Sequence, residues 1–232
     1  GEDVIYINMD GVNLTSGQED AKTDSSRICG GAFPPYGEGQ KREAMLQATH
    51  KDWDRYNVTI VTDRPDSGEY TMAVVSNVPT SECQYNQRGT LGIAPVDCGN
   101  RDSSSVVFAF VEANDEHDAN VQATVISQEI AHSYGLEHTM NNDGIMNPFP
   151  GSADPYFEDS CKDMSGTVFC SDQHVQFCPD GGGLVQDSHA ELVAILGAKD
   201  PDMTPPTVSI VTPTESASYG LGEDVLVTAD AS

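Results

Sequence analysis

Residues 128 to 138 read Gln128-Glu129-Ile130-Ala131-His132-Ser133-Tyr134-Gly135-Leu136-Glu137-His138. Just upstream, Val121, Val125 and Ile126 join Ile130 in an apolar stripe at helical spacing, which predicts a helix from about Asn120 to Tyr134. On that helix residues 128 and 132 are one turn apart, so their side chains leave the same face. Glu129 lies beside them, where a proton acceptor could serve whatever that face holds. Gly135 permits the positive φ that ends a helix and turns the chain. The turn would carry His138 back toward His132.

With histidine at position 128 the stretch would read H-E-x-x-H-x-x-G-x-x-H, the zinc signature of the metzincin metallopeptidases. As it stands it resembles that signature at every position but the first. A second segment, Asp143-Gly144-Ile145-Met146-Asn147-Pro148, resembles the Met-turn of the same family, in which a methionine forms an apolar floor under the metal. The resemblance implies zinc on Gln128, His132 and His138, with Met146 beneath. It also implies that Glu129 takes a proton from water and passes it to the leaving amine. Residues Asn147, Pro148 and Phe149 would line a substrate pocket. Tyr156 is a candidate for oxyanion or pocket contact, although it stands further beyond Met146 than the family places its tyrosine.

Glutamine is a weak partner for zinc, being neutral and harder than imidazole. The resemblance therefore supports two functional expectations. The first is a secreted zinc endopeptidase. The alternative is a pseudoprotease that binds protein partners because Gln128 replaces a ligand histidine. His50, His117, His174 and His189 read as ordinary surface residues. His117 precedes the helix by too much to replace Gln128, roughly 15 Å at about 1.5 Å per residue.

The chain has 232 residues and a net charge of −26, from 37 acids against 11 bases. Phosphate contact needs basic surface, so nucleic-acid binding is excluded as an expectation, and anionic membrane is disfavoured. No apolar run approaches the roughly 20 residues that cross a bilayer. The chain opens Gly1-Glu2-Asp3, so any leader or propeptide would lie upstream of it. Acidic loops leave calcium open as a second ion beside zinc, though no run has calcium-loop spacing. The expected partner is a protein or peptide substrate, met by a monomer.

Six cysteines, Cys29, Cys83, Cys98, Cys161, Cys170 and Cys178, with no C-x-x-C pair, imply disulfides and an extracellular protein. Cys83 with Cys98 is the favoured pair. Two of the last three would clamp the C-terminal part, leaving Cys29 for the other. Ser26 to Gly31 faintly resembles the cysteine segment that blocks zinc in some metalloprotease propeptides, but a disulfide is the expectation at Cys29.

Strands are expected at Asp3 to Met9, Asn57 to Thr62, Glu69 to Ser76 and Ser104 to Val111, with a helix at Gln40 to Tyr56. Met45, Leu46, Thr49, Trp53 and Tyr56 would form its buried stripe. Residues 12 to 39, rich in Gly, Ser, Asp and Pro, read as a long surface loop. Within Arg88 to Cys98, the stretch Gly92-Ile93-Ala94 resembles the edge strand of the adamalysin (reprolysin) branch, which pairs with bound peptide through its backbone. This order resembles the metzincin N-terminal subdomain. It implies an α/β fold with a twisted, mostly parallel five-stranded sheet and an active-site helix. An irregular, disulfide-bearing C-terminal subdomain would follow.

Ser188 to Gly197 reads as a closing helix with Ser188 as N-cap. The expected domains are 1–200, divided into subdomains 1–138 and 139–200, then a linker at 201–206. Residues 207–232 form two strands, Thr207 to Pro213 and Asp224 to Ala229, that resemble part of a bacterial immunoglobulin-like domain.

Overall fold

The computed structural model describes residues 3–37, 39–76, 83, 90–110, 117–200, 208–212, 217–218, 220 and 224–231. The expected linker at 201–206 lies outside the described residues. So do Arg88, Gly89 and Val111, and part of the turn expected between the last two strands. The chain forms two compact units, Gly1–Lys199 and Asp200–Ser232.

In chain order the first unit contains β1 (Asp3–Asn8), β2 (Val12–Ser16), β3 (Ser25–Ser26), β4 (Gly31–Phe33), α1 (Gln40–Asp52), β5 (Val58–Val61) and β6 (Thr71–Ser76). There follow β7 (Gly92–Ile93), β8 (Val106–Phe110), α2 (Ala119–His132), β9 (Lys162–Asp163), α3 (Ser171–Phe177), β10 (Val185–Gln186) and α4 (Ser188–Leu196). The second unit contains β11 (Val208–Thr212) and β12 (Thr228–Ala231), paired antiparallel. The last strand thus begins at Thr228 rather than Asp224, and Asp224 to Val227 are exposed.

The central sheet has the order β5-β1-β6-β8-β7. Its first four strands run parallel, and β7 joins the edge antiparallel, with Gly92 opposite Ala109 and Ile93 opposite Phe108. Every residue of β6 and β8 is buried, as in parallel strands covered on both faces. Ile5, Ile7, Ala73, Val75 and Val107 face the helices, where they pack with Met45, Trp53, Val125, Ile126 and Ile130. Tyr6, Met72, Val74, Val106 and Phe108 alternate to the other face and meet Leu14 and Phe33.

That second face overturns the long loop expected at 12–39. The segment contains a small sheet of order β3-β2-β4, and its buried Leu14 and Phe33 cover the apolar face. Its Gly, Ser and Pro content reflects tight turns between very short strands rather than an absence of strands. Helix α1 stops at Asp52, short of Tyr56, yet Trp53 and Tyr56 are still buried in the turns that follow. Trp53 is the centre of an aromatic cluster, with ring centroids 5.0 Å from Phe157, 5.8 Å from Tyr56 and 5.9 Å from Tyr134.

The disulfides are Cys29–Cys83, Cys98–Cys170 and Cys161–Cys178. The expected Cys83–Cys98 pair is therefore wrong. Cys29 and Cys83 lie together in the core of the second face, whereas Cys98 ties the segment after β7 to the start of α3. Cys161–Cys178 is the clamp within the C-terminal part. Ser188 does not cap α4. Asp187 does, accepting from the Ala190 amide at 2.9 Å, while Ser188 is buried and bonded elsewhere. Among the described residues no helix is long and apolar enough to cross a membrane.

Candidate active site

Helix α2 begins at Asp118, whose carboxylate accepts from the Val121 amide at 3.0 Å. It ends in a Schellman turn. The Gly135 amide bonds to His132 O at 2.9 Å and the Leu136 amide to Ala131 O at 3.2 Å. Gly135 has φ 84°. A side chain there would also lie 3.0 Å from Asp97 O and would run into the Gln173 amide oxygen. Glycine is thus demanded twice, by the backbone conformation and by the crowding.

The turn brings the two histidine rings together. His132 Nε2 lies 3.2 Å from His138 Nε2. His132 Nδ1 is 2.7 Å from Leu136 O. A carbonyl only accepts, so Nδ1 carries the proton and Nε2 keeps its lone pair. Burial, helped by the neighbouring His138, pushes the pKa of His132 down to about 3. Burial lowers that of His138 as well. Both rings are therefore neutral near pH 7.

These rings border a cavity of about 370 Å³, together with Gly92, Ile93 and Ala94 of the edge segment and the wall from Ser165 to Phe169. Glu129 faces the same cavity. It is 5% exposed, and no described residue hydrogen-bonds its carboxyl group. Burial alone raises its pKa to about 8. The edge strand makes room for it: a Cβ on Gly92 would lie 2.5 Å from Glu129 Oε1.

Gln128 behaves differently from the histidines. It does not line the cavity. Its Nε2 donates to Ile145 O and Asn147 O, both at 2.7 Å, on either side of Met146. Two carbonyl partners identify this atom as nitrogen, which leaves Oε1 as the only atom of the side chain with a lone pair for a cation. Met146 is fully buried, in the same core cluster as Ile130 and Leu136. The donor set fits a zinc ion in part. Two imidazole nitrogens about 2.0–2.1 Å from one tetrahedral ion stand roughly 3.3–3.4 Å apart, close to the separation seen. The third donor would be an amide oxygen.

Tyr156 is half exposed and lines a separate cavity of about 220 Å³ with Lys51, Asp52 and Phe157. Its backbone holds the turn around Met146 instead, accepting from the Ile145 amide at 3.0 Å. Asn147 is buried, and neither it nor Phe149, which is 85% exposed, borders the histidine cavity.

One expectation about histidine fails clearly. His174 is not a surface residue: it is completely buried, with Nε2 2.8 Å from Glu137 and Nδ1 2.9 Å from Glu191. Burial alone would lower its pKa, but the two carboxylates hold it up to about 9. Nothing in the local sequence signals this, because the partners lie 37 and 17 residues away. His189 is half buried between Tyr56 and Arg55, at 3.0 and 2.9 Å, whereas His50 and His117 are exposed as expected.

No protein-family model matches the chain, and none of the curated proteins compared with it is significantly similar in sequence.

Proposed function

We propose that the first unit is a secreted zinc-dependent endopeptidase of metzincin type, nearest the adamalysin branch. The observation that carries this reading is the pair of neutral imidazoles. Their Nε2 atoms lie 3.2 Å apart beside a buried Glu129 whose carboxyl group no described residue hydrogen-bonds, in a cavity walled by a sheet edge.

His132 and His138 would hold the ion through Nε2. Gln128, which shares the helix face of His132 but lies outside the cavity lining, has Oε1 as its one atom with a lone pair and would be the weak third ligand. Bound zinc supplies Lewis acidity, polarising a carbonyl and lowering the pKa of water. Glu129 does the proton work: burial favours its neutral form, a cation held beside it would favour the carboxylate, and that carboxylate would take a proton from the attacking water and deliver it to the departing amine nitrogen. The backbone of Gly92, Ile93 and Ala94 offers an edge along which an extended peptide can pair. The absence of a Gly92 side chain lets Glu129 reach that edge. Three disulfides support an extracellular setting.

A second reading has its own observation. The two bonds from Gln128 to the Met-turn give that residue a purely structural task. A metal-poor fold that binds protein partners without cutting them would retain it for that task.

Zinc content by elemental mass spectrometry separates the two. Wild type and Glu129→Ala are expected to hold near-stoichiometric zinc and His132→Ala none, with peptide cleavage by wild type alone. A wild-type protein that takes no zinc from excess metal would overturn the catalytic reading and leave the binding one.

A further inference from the structure

Glu137 stands between the two residues on which both rings depend. Leu136 O fixes the tautomer of His132, and His138 follows directly. Glu137 is gripped at four atoms. Its amide donates to Gln186 Oε1 at 2.7 Å, and its carbonyl accepts from Gln186 Nε2 at 3.0 Å. One carboxylate oxygen accepts from the Phe169 amide. The other accepts from the Cys170 amide at 3.2 Å and from His174 Nε2 at 2.8 Å.

Behind His174 the chain of contacts continues. His174 Nδ1 faces both oxygens of Glu191, at 2.9 and 3.0 Å, and Gln173 Nε2 donates to Glu191 at 2.8 Å. Both ring nitrogens of His174 face carboxylates, so both carry protons and the ring is a buried cation between two anions. Glu137, His174 and Glu191 are each at most 4% exposed.

Stability alone is a poor account of such a cluster. Buried ion pairs commonly contribute no more than well-packed apolar residues of similar size. What they supply is direction: charge-assisted bonds set orientation as well as distance. Here the oriented object is the three-residue arm carrying Leu136 O and His138.

We propose that the Glu137–His174–Glu191 sandwich positions the two-histidine centre, holding residues 136–138 so that both imidazole Nε2 atoms converge. This rests on reading His132 and His138 as metal ligands. Glu137 is a positioning residue, since it acts through Leu136 and His138.

The test compares Glu137→Gln with Val75→Ala, a cavity-forming change at a buried position of β6, outside the hydrogen-bonded network of the arm. The amide of Glu137→Gln would turn a donor either toward the Phe169 amide or toward the Cys170 amide and His174, each of which is itself a donor. Two quantities are read: zinc affinity by chelator competition, and the ring ¹⁵N shifts of His132 and His138 in metal-free protein. Glu137→Gln is expected to lower zinc affinity about 10–100-fold, the usual effect of losing an outer-shell partner. It should also shift His132 from a single Nδ1–H form toward a tautomer mixture. Val75→Ala should do neither, even where it costs as much in Tm. Equal behaviour of the two variants overturns the inference. If Glu137→Gln fails to fold, Glu191→Gln is read in the same way, with a smaller effect of the same sign expected and no effect overturning the inference. If wild type binds no zinc, the metal reading itself fails. The ring shifts then decide, and unchanged shifts overturn the positioning role.

Discussion

The two halves of the candidate site are held by opposite means. Gln128, Glu129 and His132 ride on α2, whose apolar residues are clamped between the sheet and α1. Their relative placement follows from helical geometry, and nearest neighbours in sequence suffice to specify it. Leu136, His138 and Met146 ride on irregular chain. That chain is fixed by Gln186, Glu158, Glu137 and His174, whose partners come from segments tens of residues away. Glu158 receives bonds from Thr139 at 2.6 Å and from Ser188 at 2.9 Å. Apolar packing is tolerant of small shifts, whereas a hydrogen-bonded arm is correct or broken. The helix half should therefore lose function through chemistry and the loop half through geometry.

The largest effect expected tests that difference directly. Glu129→Ala should lower peptide cleavage on the order of 10²–10⁴-fold in a steady-state assay, with zinc content and Tm near wild type. A comparable loss of zinc would make Glu129 part of the scaffold instead.

Gly135→Ala attacks the hinge between the halves. Positive φ and the contact with Asp97 O both oppose a side chain. A loss of about 1–3 kcal/mol in urea unfolding is expected, together with weaker zinc binding.

Gln128→His should move two measurements in opposite directions. Imidazole is the better ligand, so zinc affinity should rise. A single ring N–H cannot serve both Ile145 O and Asn147 O, so one buried carbonyl loses its donor. Metal-free stability should fall by about 1–3 kcal/mol.

The buried cation sets a pH dependence in the loop half. The pKa of His174 is held near 9 in the folded chain, above its ordinary value of 6.5. Its contribution to stability is complete below about 6.5 and is lost as pH rises through about 9. Urea unfolding between pH 6 and 10 should show this decline. His174→Gln should remove that part of the slope while leaving the parts due to Asp52 and Glu129, whose raised pKa values also make stability fall as pH rises. Burial raises the pKa of Asp52 to about 7.

The smallest effect is expected at Asp187→Ala, which removes the cap of α4 for about 1 kcal/mol. It should change zinc affinity far less than Glu137→Gln, because Asp187 bonds the Ala190 amide and reaches the loop half only through its neighbours Gln186 and Ser188 and through Glu191 on the helix it caps.

The parts of the fold that were legible share one property: a local repeat. Apolar runs revealed β1, β6 and β8, and three- and four-residue spacing revealed α1 and α2. The motif revealed Glu129, His132 and His138 together. Where residues are short, polar or paired across the chain, the reading failed. Leu14 and Phe33 gave no period long enough to mark strands, and the cysteines carried no information about which would meet. His174 looked like a surface residue because its polarity is satisfied only by Glu137 and Glu191.

By itself, then, the sequence determined which side chains share a helix face and where that helix must turn. Both follow from backbone geometry over a few residues. Tertiary structure decided the Cys29–Cys83 and Cys98–Cys170 pairs, the burial of His174 and the attachment of Gln128 to the carbonyls on either side of Met146. Each of these depends on bringing distant segments within bonding distance, where the exclusion of water makes an unmet polar group costly and a met one directional.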